Sequence, residues 1–125
     1  MVNNMTPSQI ISQDSEKRGL NPQATLSLLA QSVKNKSMIL LHRNNSVLAV
    51  RLLGSGNCEI FLFALDSPLT LIGSGRFFVQ RLRNLDLHTA YIRNTSPALL
   101  KFLERLGEHV QHSDRPEFEW MIKKI

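Results

Sequence analysis

The chain has 125 residues, of which 42% are hydrophobic and 20% are charged, and its net charge is +5. This composition is that of one ordinary globular domain and excludes a disordered or fibrous protein. The single cysteine, Cys58, excludes an internal disulfide, and no apolar run reaches the roughly 18 residues of a membrane span. The first residues lack the layout of a signal peptide, so we expect an intracellular protein that is neither secreted nor transmembrane.

Residues 1–37 are predicted to form a helical N-terminal part. The run TPSQ at residues 6–9 combines a capping Thr, a Pro at the first helical position and a Gln three residues after the cap, which predicts a helix over about Pro7–Arg18. Few apolar residues follow in it, so we expect a peripheral helix. Asn21 and Pro22 repeat the start signal, and the next helix has an apolar stripe of Leu26, Leu29, Ala30 and Val33.

Three strand-like runs follow, over Met38–Arg43, Ser46–Leu53 and Glu59–Leu65. The first two flank an Asn-Asn pair that tolerates the positive φ of a tight hairpin, and the second and third flank the Gly-Ser-Gly-Asn turn at residues 54–57. These features predict an antiparallel meander. The third run is almost wholly apolar, as in a strand that is covered on both faces.

The segment after this strand carries a motif that suits a ligand. A polar break at residues 66–68 precedes a predicted helix over about Thr70–Leu85, and the Gly-Ser-Gly sequence at residues 73–75 is interpreted as the turn that opens this helix. Glycines at a helix start let an anion approach backbone N–H groups that have no partner inside the helix. The motif therefore fits a pyrophosphate cradle, although the same residues also serve simply to turn the chain.

A second strand–helix unit and two last strands complete the prediction. Residues 87–93 form a short strand, the cap and proline at residues 94–97 begin a helix that ends at Gly107, and strands are expected over about Glu108–His112 and Glu117–Ile122. The strand–helix–strand crossover implies a parallel pair. We predict one α+β domain over residues 1–125, in which residues 38–125 form a mixed sheet and the element order is ααβββαβαββ.

This order and two local motifs resemble the GNAT family of N-acetyltransferases. In that family a buried strand leads into a Q/R-x-x-G-x-G/A loop whose backbone amides hold the pyrophosphate of coenzyme A. Residues 70–75, TLIGSG, keep both small positions but have Thr in place of Gln or Arg, and the later Asn94, Phe102 and Gly107 fit the family's next landmarks. The resemblance implies a GNAT-like fold with acetyl-CoA or CoA as cofactor. It implies cofactor contacts at Ala64, Leu65, Thr70, Gly73, Ser74, Gly75, Arg76, Asn94 and Phe102.

Within the family the sequence is most similar to small GNAT-like proteins of short-tailed phages, which include a virion-associated assembly protein. The chain departs from catalytic members, because a helix replaces the first strand and Phe102 stands where a tyrosine acid is common. The resemblance therefore implies a degenerate protein with a structural or accessory role, in the virion or in the host cytoplasm. Its expected partners are virion proteins or further copies of the chain.

An active acetyltransferase that acts on an amine is the alternative. By residue type, Glu59 is the candidate general base and Tyr91 the candidate acid, while a solvated edge position for Glu59 and a core position for Tyr91 are the structural interpretations. The enzyme hypothesis predicts an open cleft between the third and fourth strands. The structural hypothesis predicts that the cleft is filled by side chains such as Phe63, Leu71 or Phe77.

A second alternative is a basic accessory protein that binds nucleic acid without sequence preference. The excess positive charge favours this role, but aromatic residues are only 6% of the chain and do not alternate with basic residues as a base-stacking surface requires. The role needs four cations on one face, namely Lys34, Arg76, Arg81 and Arg83. The four histidines have no ligand-like grouping, so no metal is expected.

Overall fold

The elements of the protein follow one another in the order predicted from its sequence. The computed structural model describes residues 5–93 and 97–125. In chain order its elements are α1 (Pro7–Lys17), α2 (Pro22–Lys34), β1 (Met38–Arg43), β2 (Ser46–Gly54), β3 (Asn57–Ala64), α3 (Pro68–Asn84), β4 (Thr89–Ile92), α4 (Pro97–Arg105), β5 (Val110–His112) and β6 (Trp120–Lys123). The α+β class and the order ααβββαβαββ are confirmed.

The six strands form one open mixed sheet in the order β1-β2-β3-β4-β6-β5. The first three strands are an antiparallel meander, as predicted. Strands β3 and β4 are parallel and are joined through α3, as a strand–helix–strand crossover requires. The chain then returns through α4, and β6 pairs antiparallel with both β4 and β5.

Both turns of the meander depend on positive φ. Asn44 has φ 52° in the hairpin between β1 and β2, which small polar side chains tolerate. Between β2 and β3, Gly56 has φ 78°, and a Cβ at this position would lie 2.3 Å from Nε2 of His88. That imidazole atom also lies 2.9 Å from the carbonyl oxygen of Ser55. The Gly-Ser-Gly turn at residues 54–56 therefore holds His88, the residue that directly precedes β4.

The two helix pairs cover opposite faces of the sheet. On one face, Ile10 and Ile11 of α1 and Leu29 of α2 pack against Val47 and Phe63. On the other face, the buried core combines residues of α3 and α4 with residues of the sheet: Phe78, Leu82, Leu103, Leu48, Val50 and Ile122.

The expectation that α1 is peripheral was wrong. Ile10 is 0% exposed and Ile11 is 2% exposed, and the short polar side chains of Asp14 and Ser15 are buried beside them. A count of apolar residues underestimates such a helix, because Ser and a paired Asp can also lie against a sheet. α1 therefore packs directly on β2 and β3.

Candidate functional site

A groove opens where β3 and β4 separate. The two strands pair over three residues only, the last pair being Glu59 with Tyr91, and β3 then continues to Ala64 paired with β2. The groove has a volume of about 1050 Å³ and lies at the position of the cleft predicted between these strands. Its apolar lining includes Leu20, Leu28, Phe61, Phe63, Leu71, Leu99 and Phe102.

The side chains expected to fill this cleft leave it open. Phe63 and Leu71 line the groove as wall residues. Phe77 is not among the lining residues. Its ring lies 4.8 Å from the guanidinium of Arg43 and 5.9 Å from the ring of Phe78. The groove is therefore wide enough for a ligand.

Glu59 stands at the apex of the groove and is held by two arginines. Its side chain is 1% exposed. Oε1 accepts hydrogen bonds from Nε and Nη2 of Arg51 at 2.8 and 2.5 Å, and Oε2 accepts one from Nε of Arg93 at 3.1 Å. The solvated edge position considered for Glu59 is therefore wrong. A general base needs a lone pair that faces its substrate, whereas this carboxylate directs both oxygens at guanidinium groups.

Tyr91 is the register partner of Glu59, but its hydroxyl points elsewhere. The side chain is buried at 3% exposure, and its hydroxyl donates a hydrogen bond to Oδ1 of Asp114 at 2.8 Å. Burial, and then this hydrogen bond to a carboxylate, raise the pKa of Tyr91. The ring packs against Phe118 with centroids 5.0 Å apart. The structure thus gives Tyr91 the core position with a satisfied hydroxyl.

The backbone of β3 on the groove side is bonded by α1. Leu65 N–H donates to Asn45 of the adjacent turn, so the backbone groups of residues 60, 62 and 64 face away from β2. Nη2 of Arg18 donates to the Leu62 carbonyl at 2.5 Å. Its ion-pair partner Asp14 lies 2.6 Å away, and the Ala64 backbone lies close enough to lower the pKa of this carboxyl. The end of α1 therefore takes a hydrogen-bonding group that a strand or ligand would use.

Asp14 is held in this position at some electrostatic cost. Burial is the largest influence and raises the pKa of Asp14, while Arg18 and, more weakly, the Ala64 backbone oppose that shift. The side chain of Asp14 is 10% exposed and that of Arg18 is 49% exposed. The Asp14–Arg18 ion pair is thus partly shielded from water, because Asp14 is buried against β3.

The Gly-Ser-Gly sequence at residues 73–75 does not open a helix. α3 begins at Pro68, with Ser67 as its N-cap, so this sequence lies in the second turn of the helix. Pro is favoured at the first helical position, which is why the helix starts before Thr70. The amide groups of residues 73–75 therefore bond within the helix. The unpaired N–H groups at the helix start are those of Leu69 and Thr70.

The candidate cofactor residues are separated by the structure. Ser74 is fully buried and its hydroxyl accepts a hydrogen bond from Nδ2 of Asn44 at 3.0 Å. A Cβ on Gly75 would lie 2.7 Å from Leu106 and 2.8 Å from Phe102, so this glycine permits the close approach of α4. Phe102 and Ala64 line the groove, Leu65 is half-buried at the end of β3, and Thr70, Gly73 and Arg76 are exposed. Asn94 lies outside the described residues.

Four charged residues of this site were missed from the sequence: Asp14, Arg18, Arg51 and Arg93. Arg51 lies in an otherwise apolar strand run, as Glu59 does, and the hairpin register pairs the two directly. Two opposite charges in adjacent apolar strands were the available signal. Asp14 and Arg18 are visible as an i, i+4 pair on a helix, but nothing in the sequence indicates that they reach β3.

The four cations considered for nucleic-acid binding do not share a face. Lys34 ends α2, which packs on one side of the sheet, whereas Arg76, Arg81 and Arg83 belong to α3 on the other side. A continuous phosphate-binding surface made by these four side chains is therefore absent.

Within residues 5–93 and 97–125, no group of three His, Cys, Asp or Glu side chains is placed to hold a metal ion. No helix described there has both the length and the apolar character needed to cross a membrane. No family model matches the chain, and neither a curated protein nor a solved structure matches it. The resemblance drawn from the motifs therefore rests on those residues alone.

Proposed function

We propose that the chain is a non-catalytic protein with a GNAT-like fold that serves as a structural or accessory component of a phage virion or of its assembly. The fold part of this proposal is supported by the meander, by the parallel pair β3 and β4 that diverges into a groove, and by the final antiparallel pair. The phage part is supported by the resemblance of the motifs at residues 70–75 and 94–107 to those of short-tailed phage proteins.

The observation that carries the loss of catalysis is the contact of α1 with β3. Acetyl transfer from acetyl-CoA needs backbone groups at the end of this strand to orient the thioester. Here the Leu62 carbonyl already accepts a hydrogen bond from Arg18, which forms an ion pair with the buried Asp14. A thioester would have to displace this partly buried ion pair to reach that part of the strand.

The remaining catalytic candidates are engaged in structural contacts as well. Glu59 is bonded by two guanidinium groups, and the hydroxyl of Tyr91 donates to Asp114. The Gly-x-Gly amides lie inside α3, and Gly75 faces α4. Catalysis would require Glu59, Tyr91 and the Gly-x-Gly amides to leave these contacts before they could act as base, acid and phosphate-binding site.

An acetyl-CoA-dependent N-acetyltransferase is the second candidate function. It is favoured by one observation, the open groove of about 1050 Å³ at the point where β3 and β4 part. Pockets for small molecules and cofactors are typically of this order of volume, about 300 to 1000 Å³. The nucleic-acid role has no comparable observation, because its cations lie on both sides of the sheet.

Calorimetric titration of acetyl-CoA into the purified protein tests the proposal. We expect no heat of binding at millimolar acetyl-CoA. Thr70→Glu is the matched variant, because Thr70 is exposed in the first turn of α3. A carboxylate at this position is stabilised by the helix dipole and repels a pyrophosphate. Micromolar binding by the wild-type protein that is lost in Thr70→Glu would overturn the proposal in favour of the acetyltransferase.

A further inference from the structure

We propose that the groove between β3 and β4 binds an extended acidic segment of a partner protein, with a carboxylate of that segment held by Arg51 and Arg93. The inference rests on the proposed accessory function and specifies the chemistry of the partner. It follows from the charges at the apex of the groove, from their fixed geometry, and from the apolar walls beside them.

The groove is positively charged. Its lining has three cationic side chains, Arg18, Arg51 and Arg93, and a single acidic one, Glu59. Glu59 is 1% exposed, whereas the side chains of Arg51 and Arg93 are 38% and 53% exposed. The two positive charges thus face solvent and the negative charge does not. An incoming anion therefore meets a net positive apex.

Both arginines keep hydrogen-bond donors for a ligand. A guanidinium has five N–H donors, of which Glu59 takes two from Arg51 and one from Arg93. The remaining donors, which have no partner among residues 5–93 and 97–125, match the planar, bidentate geometry that carboxylates favour. Glu117 also attracts Arg93 electrostatically, but it is exposed and does not line the groove. The pair is therefore available to a second carboxylate.

Glu59 also fixes the two arginines in advance. Long cationic side chains normally lose rotamer freedom when they bind a ligand, which weakens affinity. Here the hydrogen bonds to a buried carboxylate, together with the packing of Arg93 at 5.2 Å from the ring of Phe118, have already restricted that freedom. Glu59 thus acts as a positioning residue for an anion site.

The groove fits an extended peptide better than a small anion. Its volume is about 1050 Å³, and its walls include Leu20 and Leu28 of the N-terminal helical part, which are 50% and 66% exposed. Beyond Glu59, no strand among the described residues pairs with β3 on this side, and the Ile60 carbonyl and the Leu62 N–H face the groove. A peptide in the β conformation offers both backbone groups and apolar side chains.

Selection from a random peptide library displayed on yeast tests this site without knowledge of the partner. The wild-type protein is expected to select peptides enriched in Asp or Glu flanked by apolar residues. Arg93→Gln should bind the selected peptides roughly tenfold more weakly, as expected for the loss of one charge-assisted pair. Arg76→Gln is the control, because Arg76 is exposed on α3 and does not line the groove; it should bind them as the wild type does.

A second variant avoids the ion-pair network. Leu28→Glu places a negative charge on an exposed groove wall without contact to Glu59, so this variant should fold normally. It should bind the acidic peptides about tenfold more weakly than the wild type does. Selected peptides without acidic enrichment, or equal binding by the wild type, Arg93→Gln and Leu28→Glu, would overturn the inference. Binding of acetyl-CoA would instead overturn the proposed function, so failure of the proposed function and failure of the peptide site give different results.

Discussion

Arg18, the C-cap residue of α1, donates a hydrogen bond to the backbone carbonyl of Leu62 in β3, so its side chain bonds the strand beyond the point where the described β4 pairs with it. An unpaired strand edge attracts other chains and ligands alike. By bonding this edge, α1 both protects the protein from unwanted pairing and competes with a cofactor. The same contact links the stability of the fold to the chemistry available in the groove.

The first prediction concerns this contact. Arg18→Met should lower the free energy of unfolding by about 1 to 2 kcal/mol, because the Leu62 carbonyl loses its donor and Asp14 loses its cation. Urea denaturation measures the change. Lys17→Met, at an exposed neighbouring position in the same helix, is the control and should change stability by less than about 0.5 kcal/mol. Equal effects of the two substitutions would show that Arg18 does not support β3.

The second prediction compares two glycines of α3. Gly73→Ala should raise the free energy of unfolding by about 0.5 to 1 kcal/mol, since a Cβ there meets nothing within 4 Å and Ala favours a helix. Gly75→Ala should lower it by about 1 kcal/mol, because the side-chain ends of Phe102 and Leu106 would have to move. Thermal denaturation of both variants gives the difference. Equal stabilisation by both would contradict the close packing of α3 and α4.

The third prediction concerns Glu59. Glu59→Gln should lower the free energy of unfolding by about 2 kcal/mol, because it removes the negative charge that Arg51 and Arg93 share in a buried position. Glu104→Gln, at an exposed position in α4, is the control and should be nearly neutral. Chemical denaturation measures the free energy of unfolding of both variants. Unchanged stability in Glu59→Gln would mean that the carboxylate is held for chemistry and not for the fold.

The fourth prediction is a dependence of stability on pH that arises from Glu108. This side chain lines a small apolar cavity of about 40 Å³ between α3, α4 and the sheet, and burial raises its pKa above the ordinary value of 4.5, while the charge of Arg83 opposes the shift. The folded protein therefore keeps this proton to a higher pH than the unfolded chain does. Stability must fall as the pH rises from 4.5 through the raised pKa, and it stays lower above that pKa.

Glu108→Gln removes this contribution. The variant should lose part of the decline in Tm between pH 4.5 and neutral pH, and at neutral pH it should be more stable than the wild type. Asp14 has a pKa shift in the same direction, so the informative quantity is the difference between the variant and the wild type across the pH series. A parallel pair of curves would exclude a role for Glu108.

Local signals of the sequence determined the elements and their order. The capping box of Thr6 and Gln9 is formed as predicted, and Asn21 caps α2 through a hydrogen bond to Ala24 N–H. The apolar runs gave β1 with the bounds predicted, and the other strands within a few residues. Such signals act within one or two turns of the chain, so the sequence alone carries them. Pro68 is a signal of the same kind, and α3 begins there, two residues before the predicted start at Thr70.

Only the tertiary structure decided the character of the site. Glu59 and Arg51 are brought together by the register of the hairpin between β2 and β3. Arg93 directly follows β4, and it reaches Glu59 because β4 pairs parallel with β3. Arg18 reaches Leu62 because α1 packs flat on the sheet. These contacts depend on how distant elements meet, and one carboxylate in an apolar strand looks the same whether its partner is a substrate or an arginine. Packing therefore turned an apparent catalytic base into the support of a positively charged groove.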